Sequence, residues 1–307
     1  MELLFIILDI LKSGLPYALL ALGIFLTYRM LDFADLSAEG SFNLGGAVAL
    51  TLTAIGVNAY LSILIGVVAG FLAGVVTGLL HTKLKIASLL SGIITMTGLI
   101  AINLVIMGLA NPSSPSSNAV NIGSFANGVG TKSIFDYVHI FNMPIVNQIL
   151  VMLVFVGVAL GFVYWFFGTE IGMSVRATGM NPKMARAQGI NTTRMIILGL
   201  GISNALIACG GALWAHSARS YEIGNGTGAL VIGLASIIIG ETVFGKKTFK
   251  NWIFSVVLGT ILYFAVIQIA LVLNFPHYLM KLLYAVLITV ALSIPLIQSK
   301  MGKKGAK

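Results

Sequence analysis

Long apolar runs alternate with short polar segments along nearly the whole chain. A helix needs about 20 apolar residues to cross the hydrocarbon core of a bilayer, which is about 30 Å thick. The apolar runs are Gly14–Arg29, Phe42–Gly56, Tyr60–Leu80, Ala87–Ala110, Val146–Gly168, Met195–Ala215, Ala229–Phe244, Trp252–Leu273 and Tyr278–Ile297. Several are short or interrupted by glycine, and residues 1–12 form either an interfacial helix or the start of the first crossing. The pattern predicts an all-α, polytopic bundle of about eight to ten transmembrane helices.

The composition supports a membrane location. Charged residues make up 9% of the chain, whereas a soluble domain carries about 25%. So few charges cannot cover a water-facing surface, and lipid must therefore cover most of it. We predict a single transmembrane domain over residues 1–307, with a first half at about 1–145, a second half at about 146–298 and a short basic tail at 299–307.

The cations lie between the apolar runs and predict the orientation. A net charge of +9 would suggest nucleic acid in a soluble protein, but cytoplasmic loops of membrane proteins are enriched in Lys and Arg. Four clusters stand out: Lys83 with Lys85, the loop 176–194, the segment 246–250 and the tail 300–307. The loop Asn111–Pro144 has one lysine and is predicted to lie outside, and the tail is predicted to be cytoplasmic. Nine crossings would put the N-terminus outside, whereas eight or ten would put it inside.

Two polar segments interrupt the apolar pattern, one in each half. In the first, Asp32, Asp35 and Glu39 crowd together close to Arg29, and the second is the glycine-interrupted segment Arg219–Gly228. Broken helices at corresponding positions of two repeats are the best pointer to a transport path. Ionisable residues at membrane depth usually face a cavity or a partner. We therefore predict an internal two-half repeat with broken helices around a solute path.

The residues predicted to line this path are polar and come from both segments. They are Asp35, Ser37, Glu39, Ser41 and Asn43 from the first half, and Tyr221, Glu222, Asn225 and Thr227 from the second. The alternative is that both segments are ordinary interfacial loops with snorkelling charges. Asn103, Asn204 and Gln268 are predicted to form hydrogen bonds between helices, with lining of the path as the alternative, and His216 is predicted to be a satisfied interfacial side chain. No set of His, Cys and carboxylate residues has metal-site spacing, so no metal or cofactor is expected in this chain.

Two glycine patterns bear on packing and on nucleotide binding. Gly66, Gly70, Gly74 and Gly78 lie on one face of a predicted span, which favours close packing inside one bundle, with a dimer seam as the alternative.

The segment Gly240–Thr248 comes close to a phosphate-binding loop, but that loop needs Ser or Thr directly after its Lys and a strand before it. A second lysine and an apolar run stand in those places. The chain is therefore predicted to have no ATPase site and not to be an enzyme.

A short helix is predicted in the loop at 176–190. Asn181 is a good N-cap, and Pro182 suits the first helical position. Gly189 suits the left-handed position after the last turn, with Ile190 folding back. A helix of about two turns is unstable alone in water. The segment is therefore either a plain cationic loop or a helix docked to a partner, and the small side chains of Ala185 and Ala187 beside Met184 favour docking.

The run from Arg176 to Ile190 resembles the cytoplasmic signature of the branched-chain amino acid and simple-sugar ABC permease family. Asp35–Ser41 looks like that family's Asp-Leu-Ser-x-Gly-Ser segment, and Gly233–Gly240 looks like a third family segment, although Glu241 follows where relatives often have glycine. The matches extend from about Ala18 to Ile297 in order. Within the family, the chain looks most like the branch assigned to aromatic amino acids (tryptophan and tyrosine). Glu39 is one residue more than the sugar permeases have there, which argues against a sugar.

The resemblance implies the membrane-spanning permease subunit of an ATP-binding-cassette importer for a small polar solute, with an amino acid expected. In such permeases the signature forms a coupling helix that fits a groove of the ATPase subunit. The implied coupling residues are Arg176, Ala177, Gly179, Asn181, Pro182, Met184, Ala185, Arg186, Gly189 and Ile190. The implied partners are two ATPase subunits, which hold ATP and Mg²⁺, a solute-binding lipoprotein, and a second copy of the permease or a paralogue. The implied location is the bacterial cytoplasmic membrane.

Two other classes of protein compete with this interpretation. One is an ion-coupled secondary transporter in which Asp35 or Glu39 carries the coupling proton. The other is a membrane enzyme, but no nucleophile and base are arranged for chemistry. The capped loop helix at 182–188 separates the first two classes, because a secondary transporter does not need it.

Overall fold

The computed structural model describes residues 2–110, 118–122, 132–137, 140–141 and 143–273, and the single positions 286, 289 and 293. Helices dominate these residues. They are α1 (Glu2–Phe25), α2 (Ser37–Ala54), α3 (Ala59–Thr82), α4 (Ser88–Ala110), α5 (Pro144–Gly168), α6 (Glu170–Met180), α7 (Pro182–Ala187), α8 (Thr192–Ala218), α9 (Ala229–Phe244) and α10 (Phe249–Val272). A π-helical turn at Leu26–Met30 extends α1, and 3-10 turns occupy Ile134–Tyr137 and Ile223–Gly226. Two short strands, β1 (Ala119–Asn121) and β2 (Ser220–Glu222), form an antiparallel pair.

Seven helical stretches of the described residues are long and apolar enough to cross a membrane. They are Leu4–Met30, Ala59–Thr82, Ser88–Ala110, Pro144–Gly168, Thr192–Ala218, Ile223–Phe244 and Phe249–Val272. The prediction of a mostly helical, multi-pass membrane protein is confirmed. Residues 2–12 belong to α1 and thus to the start of the first stretch. Apart from the positions 286, 289 and 293, the last predicted run, Tyr278–Ile297, lies outside the described residues, as do the basic tail and most of the loop Asn111–Pro144.

The helix α2 is central in the bundle. It contains Glu39 and Asn43 and is not among the seven apolar stretches, yet 15 of its 18 residues are buried. It packs against α3, α4 and α8. Polar groups are tolerated at membrane depth when protein surrounds them. The neighbouring helices therefore surround the polar residues of α2 with protein, which lipid could not replace.

The glycine face of α3 is used inside the bundle. A Cβ atom added at Gly74 would lie 2.2 Å from the carbonyl oxygen of Leu200 in α8, and one at Gly70 would lie 2.3 Å from the Cβ of Ala208. Gly78 also faces α8, and Gly66 faces α2. The predicted packing within one bundle is confirmed, and the stripe is not free to form a dimer seam.

The basic loops of the described residues gather at one end of the bundle. Contacts there join the end of the extended α1 to the ends of three other helices: Met30 to Gly179, Phe33 to His81, and Arg29 to Glu241. His81, Gly179 and Glu241 each come shortly before or within a cationic segment. At the opposite end, the rings of Tyr60 and Tyr137 lie 5.8 Å apart. Among the described residues, the cationic loops are therefore concentrated at the first of these two ends.

Candidate translocation path and coupling site

Asp35 lies in the break between α1 and α2, and its carboxylate is hydrogen-bonded there. Asp35 is 4% exposed, and its Oδ1 accepts hydrogen bonds from the backbone N–H and the hydroxyl of Ser37 at 2.9 Å and 2.5 Å. Its Oδ2 accepts from the side-chain amide of Asn204 in α8 at 2.8 Å. A carboxylate at a helix N-terminus satisfies free N–H groups and interacts favourably with the helix dipole. The Asp35 carboxylate therefore binds the first residue of α2 and joins the start of α2 to α8, and the predicted hydrogen bonding of Asn204 between helices is confirmed.

The second break contains two residues with positive φ and a short strand. Arg219 ends α8 at φ 55°, and Gly228 precedes α9 at φ 84°. Between them, β2 pairs with β1, and Tyr221 lies opposite Val120. An all-α fold was expected, and this small sheet was missed because strands of three residues are too short to give an alternating pattern.

Two residues of α2 hold the second break in place. The Oδ1 atom of Asn43 accepts hydrogen bonds from the Tyr221 hydroxyl at 2.7 Å and from the Gly226 N–H at 3.1 Å. Four residues earlier, on the same face, Glu39 Oε1 accepts from the Gly228 N–H at 3.0 Å. The two interrupted segments, separate in sequence, therefore meet along α2.

The other predicted path residues fall into two groups. Glu222 and Thr227 are exposed and Asn225 is half-buried, whereas Ser41 is fully buried. Within the described part of the chain, Ser41 Oγ and both side-chain amide atoms of Asn103 have no hydrogen-bond partner. The expected helix-to-helix hydrogen bond of Asn103 is therefore not found there.

His216 differs from the expectation of a satisfied interfacial side chain. It is 0% exposed, in the last turn of α8. The hydroxyl of Ser133 donates to its carbonyl oxygen at 3.0 Å and lies 3.5 Å from Nδ1. Its Nε2 has no partner among the described residues. The ring is buried because the segment after β1 folds over the end of α8.

The loop helix α7 has the predicted caps. Asn181 Oδ1 accepts from the Met184 N–H at 3.1 Å, and Pro182 occupies the first turn. Gly189 has φ 82°, and the Ile190 N–H donates to the Ala185 carbonyl at 3.0 Å. These bonds close both ends of a six-residue helix.

The faces of α7 differ from the prediction at one position. Ala185 is 2% exposed, so it faces the body of its own chain and cannot enter a partner's groove. Met184 is 58% exposed and provides the outward apolar surface. Arg186 is also exposed, and its Nε donates to Thr192 Oγ1 at 2.9 Å, which ties α7 to the start of α8. In a helix this short, tertiary packing rather than the pattern of its own residues decides which side chains face inward.

The coupling segment touches the first break directly. A Cβ atom at Gly179 would lie 2.0 Å from the carbonyl oxygen of Met30 and 2.7 Å from the Cα of Leu31. Glycine at this position therefore allows α6 to lie against the backbone where α1 ends. Arg176, also on α6, places its guanidinium 5.7 Å from the ring centroid of Phe249, while Ala177 is half-buried. A displacement of α6 and α7 would reach the break through this contact.

An ion pair at the same end was not foreseen. In the sequence Arg29 is close to Asp32, Asp35 and Glu39, but its Nε and one terminal nitrogen donate to the two oxygens of Glu241 at 2.8 Å and 2.5 Å. The indole N–H of Trp252 donates to Glu241 Oε1 at 2.8 Å. The partners are 212 residues apart, so no local pattern could pair them. Such a bidentate pair ties α1 to α9 and α10.

Replacing Arg29 with methionine is expected to lower the free energy of unfolding by about 2 kcal/mol, because the Glu241 side chain, 9% exposed, loses its cation. The double variant Arg29→Met/Glu241→Met should regain most of that loss. Thermal unfolding in detergent measures both, with Arg219→Met as the control because its pair with Asp136 is more exposed and should contribute under about 1 kcal/mol. Equal stability of Arg29→Met and wild type would show that the pair does not hold these helices.

Among the described residues, no group of three or more His, Cys, Asp and Glu side chains is placed to hold a metal ion. The side chains of both breaks bond to one another and to backbone N–H groups. These hydrogen bonds hold the helix ends at both breaks.

Comparison with known proteins identifies the family. The sequence profile of a family described as "Branched-chain amino acid transport system / permease component" matches residues 6–292. A "Tyrosine transport system permease protein" of Clostridioides difficile is 34% identical over 98% of this chain and 95% of its own length. The "Probable branched-chain amino acid transport permease protein LivH" of Methanocaldococcus jannaschii is 29% identical over 78% of this chain and 74% of its own length. The "Ribose import permease protein RbsC" of Haemophilus influenzae is 25% identical over 77% of this chain and 68% of its own length.

Permeases of this family have no ATPase site of their own and work with an ATPase and a solute-binding protein. The family match covers both breaks and the capped loop helix. The chain therefore belongs to the family of branched-chain amino acid transport system permease components, and it is the membrane-spanning permease subunit of an ATP-binding-cassette importer.

Proposed function

We propose that this permease imports an amino acid or a solute of similar size and polarity across a bacterial cytoplasmic membrane. It does so with two ATPase subunits, which bind ATP and Mg²⁺, a solute-binding lipoprotein, and a second copy or a paralogue as the other permease. The relative named for tyrosine transport is 34% identical, whereas the ribose permease is 25% identical. An amino acid also suits the carboxylate of Glu39, because an ammonium group needs an acceptor.

Nine crossings, with the N-terminus outside and the tail in the cytoplasm, fit this role. Seven apolar stretches, the enclosed α2 and the last run, Tyr278–Ile297, make nine. The cationic loops at one end of the bundle favour that end as cytoplasmic. The α6–α7 segment, which must reach an ATPase, is at the same end.

Two equivalent halves are supported by reciprocal contacts between α1 and α8. Ala18–Gly23 reads Ala-Leu-Leu-Ala-Leu-Gly and Ala205–Gly210 reads Ala-Leu-Ile-Ala-Cys-Gly. A Cβ atom at Gly23 would meet Ser203 and Ile207, and one at Gly210 would meet Pro16 and Leu20. Ser203 and Ile207 come seven and three positions before Gly210, and Pro16 and Leu20 come seven and three positions before Gly23. Such reciprocity is what a two-fold axis between repeats produces, and each repeat then has one broken helix beside the path.

The path residues are assigned two roles in this proposal. Asp35, Ser37, Asn43 and Tyr221 fix the two breaks, because they are buried and bonded. The less buried side chains face the solute: Glu39, Glu222, Asn225 and Thr227. Ser41, buried without a partner among the described residues, becomes accessible when the breaks separate.

The single observation that carries the proposal is the contact of Gly179 with Met30. Through it, the ATPase-facing segment touches the chain a few residues before Asp35. ATP-driven movement of α7 would thus change the spacing between the end of α1 and the start of α2. The solute path and the motor contact are joined by one helix, α6.

Glu39→Gln is expected to lower the maximal uptake rate about tenfold, with a much smaller change in half-saturation, because the external binding protein provides the affinity and only a charged acceptor is lost. The assay is ATP-dependent uptake of tyrosine, leucine and ribose by the complete transporter in vesicles. Glu170→Gln is the matched control, since Glu170 is exposed and lies on neither break. Uptake driven by a proton gradient without ATP would instead support the secondary-transporter mechanism.

A further inference from the structure

Two glycines on α5 have no neighbour in the described part of the chain. A Cβ atom added at Gly157 or Gly161 would meet nothing within 4 Å. All four glycines of the α3 stripe, by contrast, lie against another helix. Small residues in membrane helices allow another group to approach the backbone closely. At Gly157 and Gly161 there is room for such a group from outside the described residues.

Both glycines line a groove of about 630 Å³ between α1, α5 and α10. Its walls are almost entirely aliphatic and aromatic, and its rim is open: Leu153, Tyr164 and Phe254 are 53%, 55% and 45% exposed. An apolar groove of this kind does not hold ordered water. We propose that it is a binding site for an anionic phospholipid of the cytoplasmic leaflet.

The groove has the length of one leaflet. On α10 it extends from Lys250 to Ile261, which is about 17 Å at 1.5 Å per residue. Half of a 30 Å hydrocarbon core is about 15 Å. The end at Lys250 is cytoplasmic in the orientation proposed above, and the assignment to that leaflet rests on that orientation.

The polar groups of the groove lie at this same end. Lys250 is exposed there, and Arg176 stacks over the neighbouring Phe249. Neither cation belongs to the two ion pairs found among the described residues. Tyr164 lies one turn before the end of α5, where amphipathic rings favour the membrane interface. Basic pockets between helices on the cytoplasmic side bind anionic headgroups, so a phosphate-bearing anionic lipid fits better than a zwitterionic one.

Another protein helix is the competing occupant, either from a second copy of the chain or from this chain's own last run, Tyr278–Ile297, since Gly157 and Gly161 have the spacing of a helix-pairing motif. A protein helix in the groove would cover Lys250 in an apolar interface, where an unpaired cation is costly. A lipid phosphate would neutralise the same cation. The charge therefore favours lipid.

The test measures bound lipid on the full-length permease purified with its ATPase subunits. Native mass spectrometry compares phosphatidylglycerol and phosphatidylcholine supplied at equal concentration. Wild type should retain phosphatidylglycerol about fivefold better. Gly161→Leu fills the groove and should reduce bound phosphatidylglycerol about tenfold, while Gly98→Leu, at another glycine with open space on α4, should not. Lys250→Gln should remove the preference for phosphatidylglycerol, while Lys247→Gln, outside the groove, should keep it.

Wild-type lipid retention by Gly161→Leu, or equal loss in Gly98→Leu, would overturn the site. A lower number of permease chains per complex in Gly161→Leu, with lipid unchanged, would assign the groove to a second copy. Lys250→Gln keeps the test decisive if Gly161→Leu fails to assemble. Lipid retention does not require transport, so normal lipid binding with absent ATP-driven uptake would count against the proposed function alone.

Discussion

Replacing Met184 with aspartate is expected to abolish ATP-driven uptake while the permease remains in the membrane. Met184 is 58% exposed on a helix closed by its own caps, so the variant should leave α7 folded. If Met184 is buried against the ATPase subunit, as proposed, the new carboxylate would lose its water there, and burial of a charge without a cation costs several kcal/mol. Uptake and ATP hydrolysis stimulated by the binding protein should each fall at least about 100-fold. Co-purification with the ATPase subunits should fall in parallel.

Two variants on the same helix separate docking from folding. Met184→Leu keeps the apolar surface and should behave nearly as wild type. Ala185→Leu adds atoms to a side chain that is 2% exposed, so it should destabilise the loop rather than weaken a contact. Normal uptake by Met184→Asp would mean that α7 does not dock to the ATPase.

The second large effect is expected at Gly45, where α2 crosses α8. A Cβ atom there would lie 2.0 Å from the carbonyl oxygen of Ala208 and 2.6 Å from its Cα. The neighbour is backbone and cannot rotate away. Gly45→Val should therefore cost about 3 kcal/mol or more and prevent accumulation of folded protein.

Fluorescence-detected size-exclusion chromatography after detergent extraction measures this loss. Gly98→Val is the matched control, because Gly98 is also in a membrane helix but its Cβ position is open. A monodisperse, normally abundant Gly45→Val protein would show that the α2–α8 crossing is looser than described.

Features determined by neighbouring residues could be predicted from the sequence. The caps at Asn181 and Gly189 depend on residues within one turn, and both predictions were confirmed. The helical spans followed from hydropathy, and the glycine face of α3 from a spacing of four. The meeting of the two breaks was expected from their corresponding positions in the two halves.

Features determined by distant residues could not be predicted from the sequence. Asp35 was predicted as a path residue from its polarity, but the sequence does not show its hydrogen bonds to Ser37 and to Asn204 of α8. Arg29 is close in sequence to Asp32 and Asp35, whereas packing pairs it with Glu241. The inward face of Ala185 likewise depends on what α7 rests against. The predicted roles of the path and coupling residues stay predictions.

The burial of α2 also has a consequence for how the protein is made. A lone α2, with Glu39 in its first turn and Asn43 one turn later, is disfavoured in lipid, and it has its favourable environment only once α8 packs against it. Asn204 is synthesised about 150 residues after the end of α2, which takes about 10 to 30 s at usual rates of translation. During this interval the nascent α2 must be shielded by the insertion machinery or by α3 and α4. Biogenesis of the permease should therefore be most sensitive to slowed or interrupted synthesis between α4 and α8.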